Sequence, residues 1–277
     1  MKLLQLLLII ILTACSSGND TVKIKGSDTE VNLAVVLAEQ FHKVNKDVLV
    51  SVSGGGSGLG LASLLNGNAD IANSSRSIKP TELNLFAQKS IEIDSFVFAQ
   101  DAIAFVVSDE VTIDSLSTNQ ISKILSGEYS NWSSLNQKSK TITIYGRQSN
   151  SGTYDYMKNI CRVNFSPYAK QMNGNAQIIE AIKADNSGIG YVSAGYVLKG
   201  STLGIKVLSV YTEKSNAVSP LDTKAIAGGR YYFQRPLFQY FRKKDFSKIK
   251  SFLDFEKSET GAKIIQESGY YPVNKLK

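Results

Sequence analysis

The chain has 277 residues, 43% hydrophobic and 20% charged, enough to bury a core and outside the composition of a disordered segment. Its 31 Lys and Arg against 24 Asp and Glu give a net charge of +7. The surplus is spread thinly, with no block of five or six like charges, and so offers no arm for nucleic acid. One histidine, His42, and two cysteines, Cys15 and Cys161, exclude a zinc cluster, a disulfide framework and nearly every histidine-dependent catalytic scheme.

Lys2 is followed by an apolar run from Leu3 to Leu12, interrupted only by Gln5. Spanning a membrane takes about 20 apolar residues, so this run is too short and reads as a secretory signal peptide. The junction Leu12-Thr13-Ala14-Cys15, followed by Ser16, Ser17, Gly18 and Asn19, resembles the bacterial lipobox. That resemblance implies a signal peptide over 1–15, lipid on Cys15, a tether over 16–21 and an anchor on the extracytoplasmic side of the cell membrane. Cys161 is then without a partner, and is expected as a small buried residue near a helix end.

The exported part alternates short strands with helices. Val22 to Lys25 reads as a strand. Val31 to Val44 reads as a helix, with Val31, Ala34, Val35, Ala38 and Phe41 on the three-and-four spacing and His42 on its surface. A strand over Val48 to Val52, a helix over Leu59 to Leu65 and a strand from Asp70 follow. This pace implies parallel β-α-β units. Phe96 to Val107 is too long for one ordinary strand and reads as a run from one lobe into another. Strands are expected at Thr141–Tyr145, Gly188–Val192, Ile205–Val210 and Leu237–Phe241, with a helix from Tyr154. A C-terminal helix is expected from about Phe252 to Glu267, stopped by Gly269.

Three loops share one design, each after a strand and each opening a helix: Gly26-Ser27-Asp28-Thr29, Ser53-Gly54-Gly55-Gly56-Ser57-Gly58 and Arg147-Gln148-Ser149-Asn150-Ser151-Gly152-Thr153. A helix start leaves backbone N–H groups free and carries about +0.5 of a charge. Glycine lets an anion approach closely, hydroxyls add donors, and Arg147 adds a planar charged fork. Capping alone accounts for any one such loop. The phosphate-loop, dinucleotide and nucleophile-elbow motifs are all missing, so the set reads as an anion cradle without a nucleophile.

These loops resemble those of the phosphate-binding proteins that serve Pst-type ABC importers. The resemblance extends over Asn66-Gly-Asn-Ala-Asp-Ile-Ala-Asn-Ser-Ser-Arg76, Gly188-Ile-Gly-Tyr-Val192, Arg235-Pro236-Leu237, Gly261 to Ile265 and Gly269 to Pro272. It implies an α/β, two-lobed periplasmic-binding-protein fold of type II, each lobe a mainly parallel sheet flanked by helices. By position the lobes are expected over 22–103 with 212–277, and over 104–211. It further implies a monomeric receptor, not an enzyme, without cofactor or metal, that binds inorganic phosphate and delivers it to the permease subunits of an ABC importer. The ligands carried over are Ser27, Asp28, Thr29, Ser57, Ser75, Arg76, Arg147, Ser151, Gly152 and Thr153. Relatives often carry an aspartate where this chain has Ser75, which leaves Asp28 as the candidate acceptor for the proton of hydrogen phosphate. Its rival role is an N-cap on the helix from Val31. For Arg76 the alternative is a salt bridge to an acidic neighbour. A receptor for sulfate or another tetrahedral oxyanion, an exported phosphatase, and an adhesin that has lost the site are the competing functions.

Overall fold

Two sheets share a single long strand, and that strand explains the length of the apolar run centred on Phe96–Val107. The computed structural model describes residues 20–200 and 202–273; the signal peptide, Cys15 and residues 16–19 of the tether lie outside the described residues. The first sheet begins with β1 (Asp20–Gly26), β2 (Val48–Ser53) and β3 (Ile71–Ser74), with β1 parallel to both of the others. The connections are α1 (Val31–Val44) and α2 (Ser57–Leu65), as the β-α-β rhythm predicts. Next come α3 (Pro80–Gln88) and β4 (Ile93–Ser108).

The second sheet is built from β4 onward. It takes in β5 (Ser115–Ser117), α4 (Thr118–Ser126), β6 (Thr143–Arg147), α5 (Gly152–Cys161), β7 (Lys170–Met172), α6 (Asn175–Ala184), β8 (Gly188–Ser193), α7 (Ala194–Lys199), β9 (Ile205–Tyr211) and α8 (Thr223–Ala227). The chain then returns through β10 (Gln234–Arg242), α9 (Phe246–Glu256), α10 (Glu259–Glu267) and the short β11 (Tyr271–Pro272). Along β4, residues Ile93 to Ala102 pair with β10, whereas Ile103 to Val107 pair with β8. The strand therefore changes lobe between Ala102 and Ile103. Parallel ladders hold within the β-α-β units, while β4 and β10 run antiparallel to their neighbours.

The apolar cores divide the same way. One cluster runs from Ala102 to Phe233 and fills the second lobe. The first lobe has two, one per face of its sheet. Val22, Ile24, Leu33, Phe41 and Phe252 pack on one side, and Leu61, Leu64, Ala72 and Phe86 on the other. The alternation of Ile71 and Ala72 between these clusters is the two-residue period of a strand covered on both faces.

Two expectations need correcting. The return to the first lobe was expected at residue 212, but Ile226, Tyr231 and Phe233 belong to the second core and pairing with the first sheet resumes only at Gln234. Residues 212–233 form a connection whose apolar anchors are single residues, so no periodic signal marks which lobe they join. The C-terminal helix is two helices. The side chain of Ser258 accepts the N–H of Gly261 at 3.1 Å and caps a new helix just after Glu256. Cys161 ends α5 as expected, only half-buried, and burial pushes its thiol up to about 11.

Candidate anion-binding site

The three loops meet where the lobes face each other. The first follows β1, the second precedes α2, and both belong to the first lobe. The third follows β6 in the second lobe. Gly56 N–H donates to Gly26 O at 2.9 Å, which ties the first two loops together, and Ser27 N–H donates to Asn73 O of β3 at 2.9 Å. Neither Glu30 before α1 nor Gly56 before α2 supplies a side-chain cap. At α5 the cap is Ser151, whose side chain accepts the N–H of Thr153 at 3.1 Å.

Hydroxyls from both lobes come into contact here. Ser27 Oγ lies 3.1 Å from Ser75 Oγ, and Thr29 Oγ1 lies 3.1 Å from Thr153 Oγ1 across the cleft. Ser57 Oγ accepts the N–H of Ser75 at 3.1 Å. Gly152 is held so close that a Cβ would stand 2.3 Å from Ser57 Oγ and 2.6 Å from Ser75 Oγ. Only glycine lets the start of α5 face these hydroxyls. Two more bonds close the lobes: Asn150 Nδ2 to Gly55 O at 2.9 Å and Gly58 N–H to Asn150 O at 3.1 Å.

Arg147 ends β6 with its side chain buried. Its Nη2 donates to Asp28 Oδ2 at 2.6 Å and to Asn173 O at 2.9 Å. Its Nε and Nη1 are buried without any partner. Desolvation lowers the pKa of the guanidinium, and Asp28 works against that fall. Asp28 Oδ1 also accepts the N–H of Gly55 at 2.7 Å. Its carboxylate therefore caps nothing in α1 and instead ties three segments together.

Ser27, Asp28, Thr29, Ser57, Ser75, Arg147, Ser151, Gly152 and Thr153 are thus brought to one place. Arg76 is not. It makes two bonds to Glu82, at 2.7 and 2.6 Å, and its Nε lies 2.9 Å from Asp155, so the salt-bridge alternative is the one the structure holds. Desolvation lowers the Arg76 pKa, but the Glu82 contacts outweigh it and the net shift is upward.

Sequence reasoning missed a second buried pair beside the site. Arg235 on β10 reaches Asp101 Oδ2 on β4 through Nε at 3.0 Å and Nη2 at 2.9 Å. The same Nη2 donates to Thr29 Oγ1 and Thr153 Oγ1, each at 3.0 Å, so one nitrogen touches both lobes. Ser193 Oγ donates to the other Asp101 oxygen at 2.6 Å. Desolvation raises the Asp101 pKa in spite of these contacts. The signal was there: Asp101 is the one charge within the apolar run from Phe96 to Val107. A buried carboxylate there requires a cation. Tyr196 and Asn175 were missed as well; they donate to Asp28 O at 3.0 and 3.5 Å.

Comparison with known proteins places this arrangement. The family model described as the PBP superfamily domain matches residues 13–260. The phosphate-binding protein PstS of Staphylococcus saprophyticus is 30% identical, over 96% of this chain and 87% of its own. An ABC-type phosphate transport receptor from Vibrio cholerae has a similar structure, with a TM-score of 0.71 and 27% identity over 91% of this chain and 100% of that one. A substrate-binding protein from Clostridium perfringens, crystallised with bound phosphate, shares the fold at a TM-score of 0.81 and 23% identity, covering 92% and 100% of the two chains. The chain belongs to the PBP superfamily and, within it, to the PstS family of phosphate-binding proteins.

Proposed function

We propose that the chain binds inorganic phosphate between its lobes and delivers it to the permease of an ABC importer, without catalysis. The observation that carries this reading is Arg147, whose Nε and Nη1 are buried and unpartnered within the loop set that also holds the hydroxyl cluster. A buried guanidinium with two idle nitrogens is costly unless an acceptor fills the place. Phosphate is strongly hydrated, so a dry site must replace its water with fixed donors. Backbone N–H groups at the starts of α1 and α2, the hydroxyls of Ser27, Thr29, Ser57, Ser75, Ser151 and Thr153, and Arg147 make up such a set. The N–H groups at Gly152 and Thr153 extend it. Asp28 balances the arginine charge and accepts the proton of hydrogen phosphate.

The lobes move as 22–102 with 234–273 against 103–233, turning about β4 and β10, and the closed form is what the permease recognises. Among the described residues no helix is long and apolar enough to cross a membrane. Attachment is through lipid on Cys15, on the extracytoplasmic side. Cys15→Ser should abolish partition into detergent; a mutant that still partitions after signal removal would refute the anchor.

The main test is direct. Purified protein should release phosphate on denaturation, and the stripped protein should rebind it in a calorimeter, with sulfate failing to displace it. A stripped protein that gives no phosphate heat overturns the reading.

A further inference from the structure

The cleft contains a third carboxyl, Glu30, and this one has no counter-ion. It follows Ser27, Asp28 and Thr29 directly and is the last residue before α1. Its relative exposure is 0%, and neither carboxyl oxygen has a hydrogen-bond partner. Other acids of the region are matched one for one: Asp28 with Arg147 at 2.6 Å and Asp101 with Arg235 at 2.9 Å. An ionised Glu30 would therefore leave the cleft with a net negative charge before any anion arrived.

The groups that face it come from every neighbouring element. Arg235 on β10 favours the ionised form, helped weakly by the Ser27 hydroxyl. Asp101 on β4 and Asp28 on its own loop oppose it. Two tyrosines complete the surroundings, Tyr196 from α7 and Tyr270 from the turn after α10. Dehydration outweighs all of these and pushes the carboxyl well above its ordinary range. Tyr196 and Asn175, both from the second lobe, hold the carbonyl of Asp28, two residues before Glu30.

We propose that Glu30 is a proton-carrying residue of the anion site, so that closure around phosphate takes up a proton from solvent onto its carboxylate. The inference rests on the phosphate reading above. With the lobes apart, water reaches Glu30, the dehydration that raises its carboxyl is relieved and the ionised form is favoured again. Once they close, a neutral carboxylic acid stands beside Arg235 and the incoming anion meets no third negative charge. No covalent bond changes; one O–H bond forms on Glu30 and the proton comes from buffer. Between the open and closed titration points, affinity should fall up to tenfold for each pH unit, beyond the change caused by the titration of phosphate itself.

Phosphate calorimetry at neutral pH in two buffers of different ionisation heat counts the protons taken up. Wild type should take up about one proton more than Glu30→Gln, because the protonation of phosphate is common to both. The Glu30→Gln affinity should also lose the extra downward slope with rising pH. Equal proton counts in two proteins that both bind phosphate would overturn the inference and leave the phosphate reading standing. A wild type that binds no phosphate would overturn both. Should Glu30→Gln not fold, infrared difference spectra of wild type, bound minus free, decide the matter: a gained protonated-carboxyl band supports the inference, and its absence overturns it.

Discussion

Two arginine–aspartate pairs lie side by side in the cleft, and they are spent differently. Arg235 makes its contacts along the crossing strands and to both lobes: Asp101 twice, Thr29, Thr153 and, at 3.4 Å, the carbonyl of Ser75. Its guanidinium also lies 5.4 Å from the ring of Tyr156. Arg147 binds Asp28 and Asn173 through one nitrogen and leaves two buried nitrogens unused. The saturated arginine holds the scaffold where the chain changes lobe, and on the proposed reading the unsaturated one is the arm kept for phosphate. Burial and pairing to aspartate are common to both, so neither property identifies a ligand arm. The count of unused donors is what sets Arg147 apart.

Substitutions should separate the two roles. Arg235→Ala leaves Asp101 buried and unpaired, which costs roughly 3–5 kcal/mol, or about 6–20 °C in Tm at this chain length. An unchanged thermal melt would show that the pair is not structural. Arg147→Ala should act mainly on binding. Losing two hydrogen bonds to a charged ligand costs about 3–6 kcal/mol of phosphate affinity. Its Tm should fall less, because the Asp28 side chain is 19% exposed and keeps the N–H of Gly55. An unaltered dissociation constant in a calorimetric titration would remove Arg147 from the site.

That contrast also shows what the sequence can disclose. Helix α1 matches its expected bounds because its apolar spacing is clean, and β4 was legible because sixteen residues form one strand. The three loops were legible because glycine and hydroxyl residues at helix starts carry their own chemistry. Arg76 and Arg147 look alike as residues, each within two positions of a serine, yet Glu82 and Asp155 claim the first. Which acid reaches which arginine is set by tertiary contacts such as Arg235 with Asp101, 134 positions apart. Three-residue strands such as β5 and β7 lie below any periodic signal. The rival N-cap role of Asp28 gives way for the same reason, since its partners Gly55 and Arg147 come from other segments.

Asp28→Asn sharpens the comparison at the ligand arm. It keeps an acceptor for Gly55 while removing the charge opposite Arg147. Phosphate affinity should fall by about 1.5–3 kcal/mol, the range for a hydrogen bond to a charged group. Sulfate has no proton to donate, loses no such bond and gains an uncovered arginine, so the phosphate-to-sulfate ratio should shrink. Calorimetric competition between the two anions measures it. A ratio that survives would make Asp28 only a tie between loops and put the discrimination elsewhere.

The smallest effect is expected at the rim, where neither buried pair is touched. Asp155 on α5 lies 2.9 Å from Arg76 Nε and 2.6 Å from Lys79 Nζ, so these ion pairs join the second lobe to the first. Asp155→Asn removes that tie without stranding Arg76, which keeps its two bonds to Glu82. Lys79 has a side-chain exposure of 43% and is easily rehydrated. The half-exposed Lys79 pair contributes about 0.5–1 kcal/mol, and here it is present only when the lobes meet. The loss lowers the closed fraction, and apparent affinity falls in proportion, by about two- to fivefold. Phosphate-to-sulfate selectivity should not move, because every ligand contact is intact. Added salt should weaken wild type towards the mutant, since screening acts on the same ion pairs. A hundredfold loss, or a change in selectivity, would place Asp155 in the site itself. No change in affinity at any salt concentration would mean that these pairs do not bear on closure.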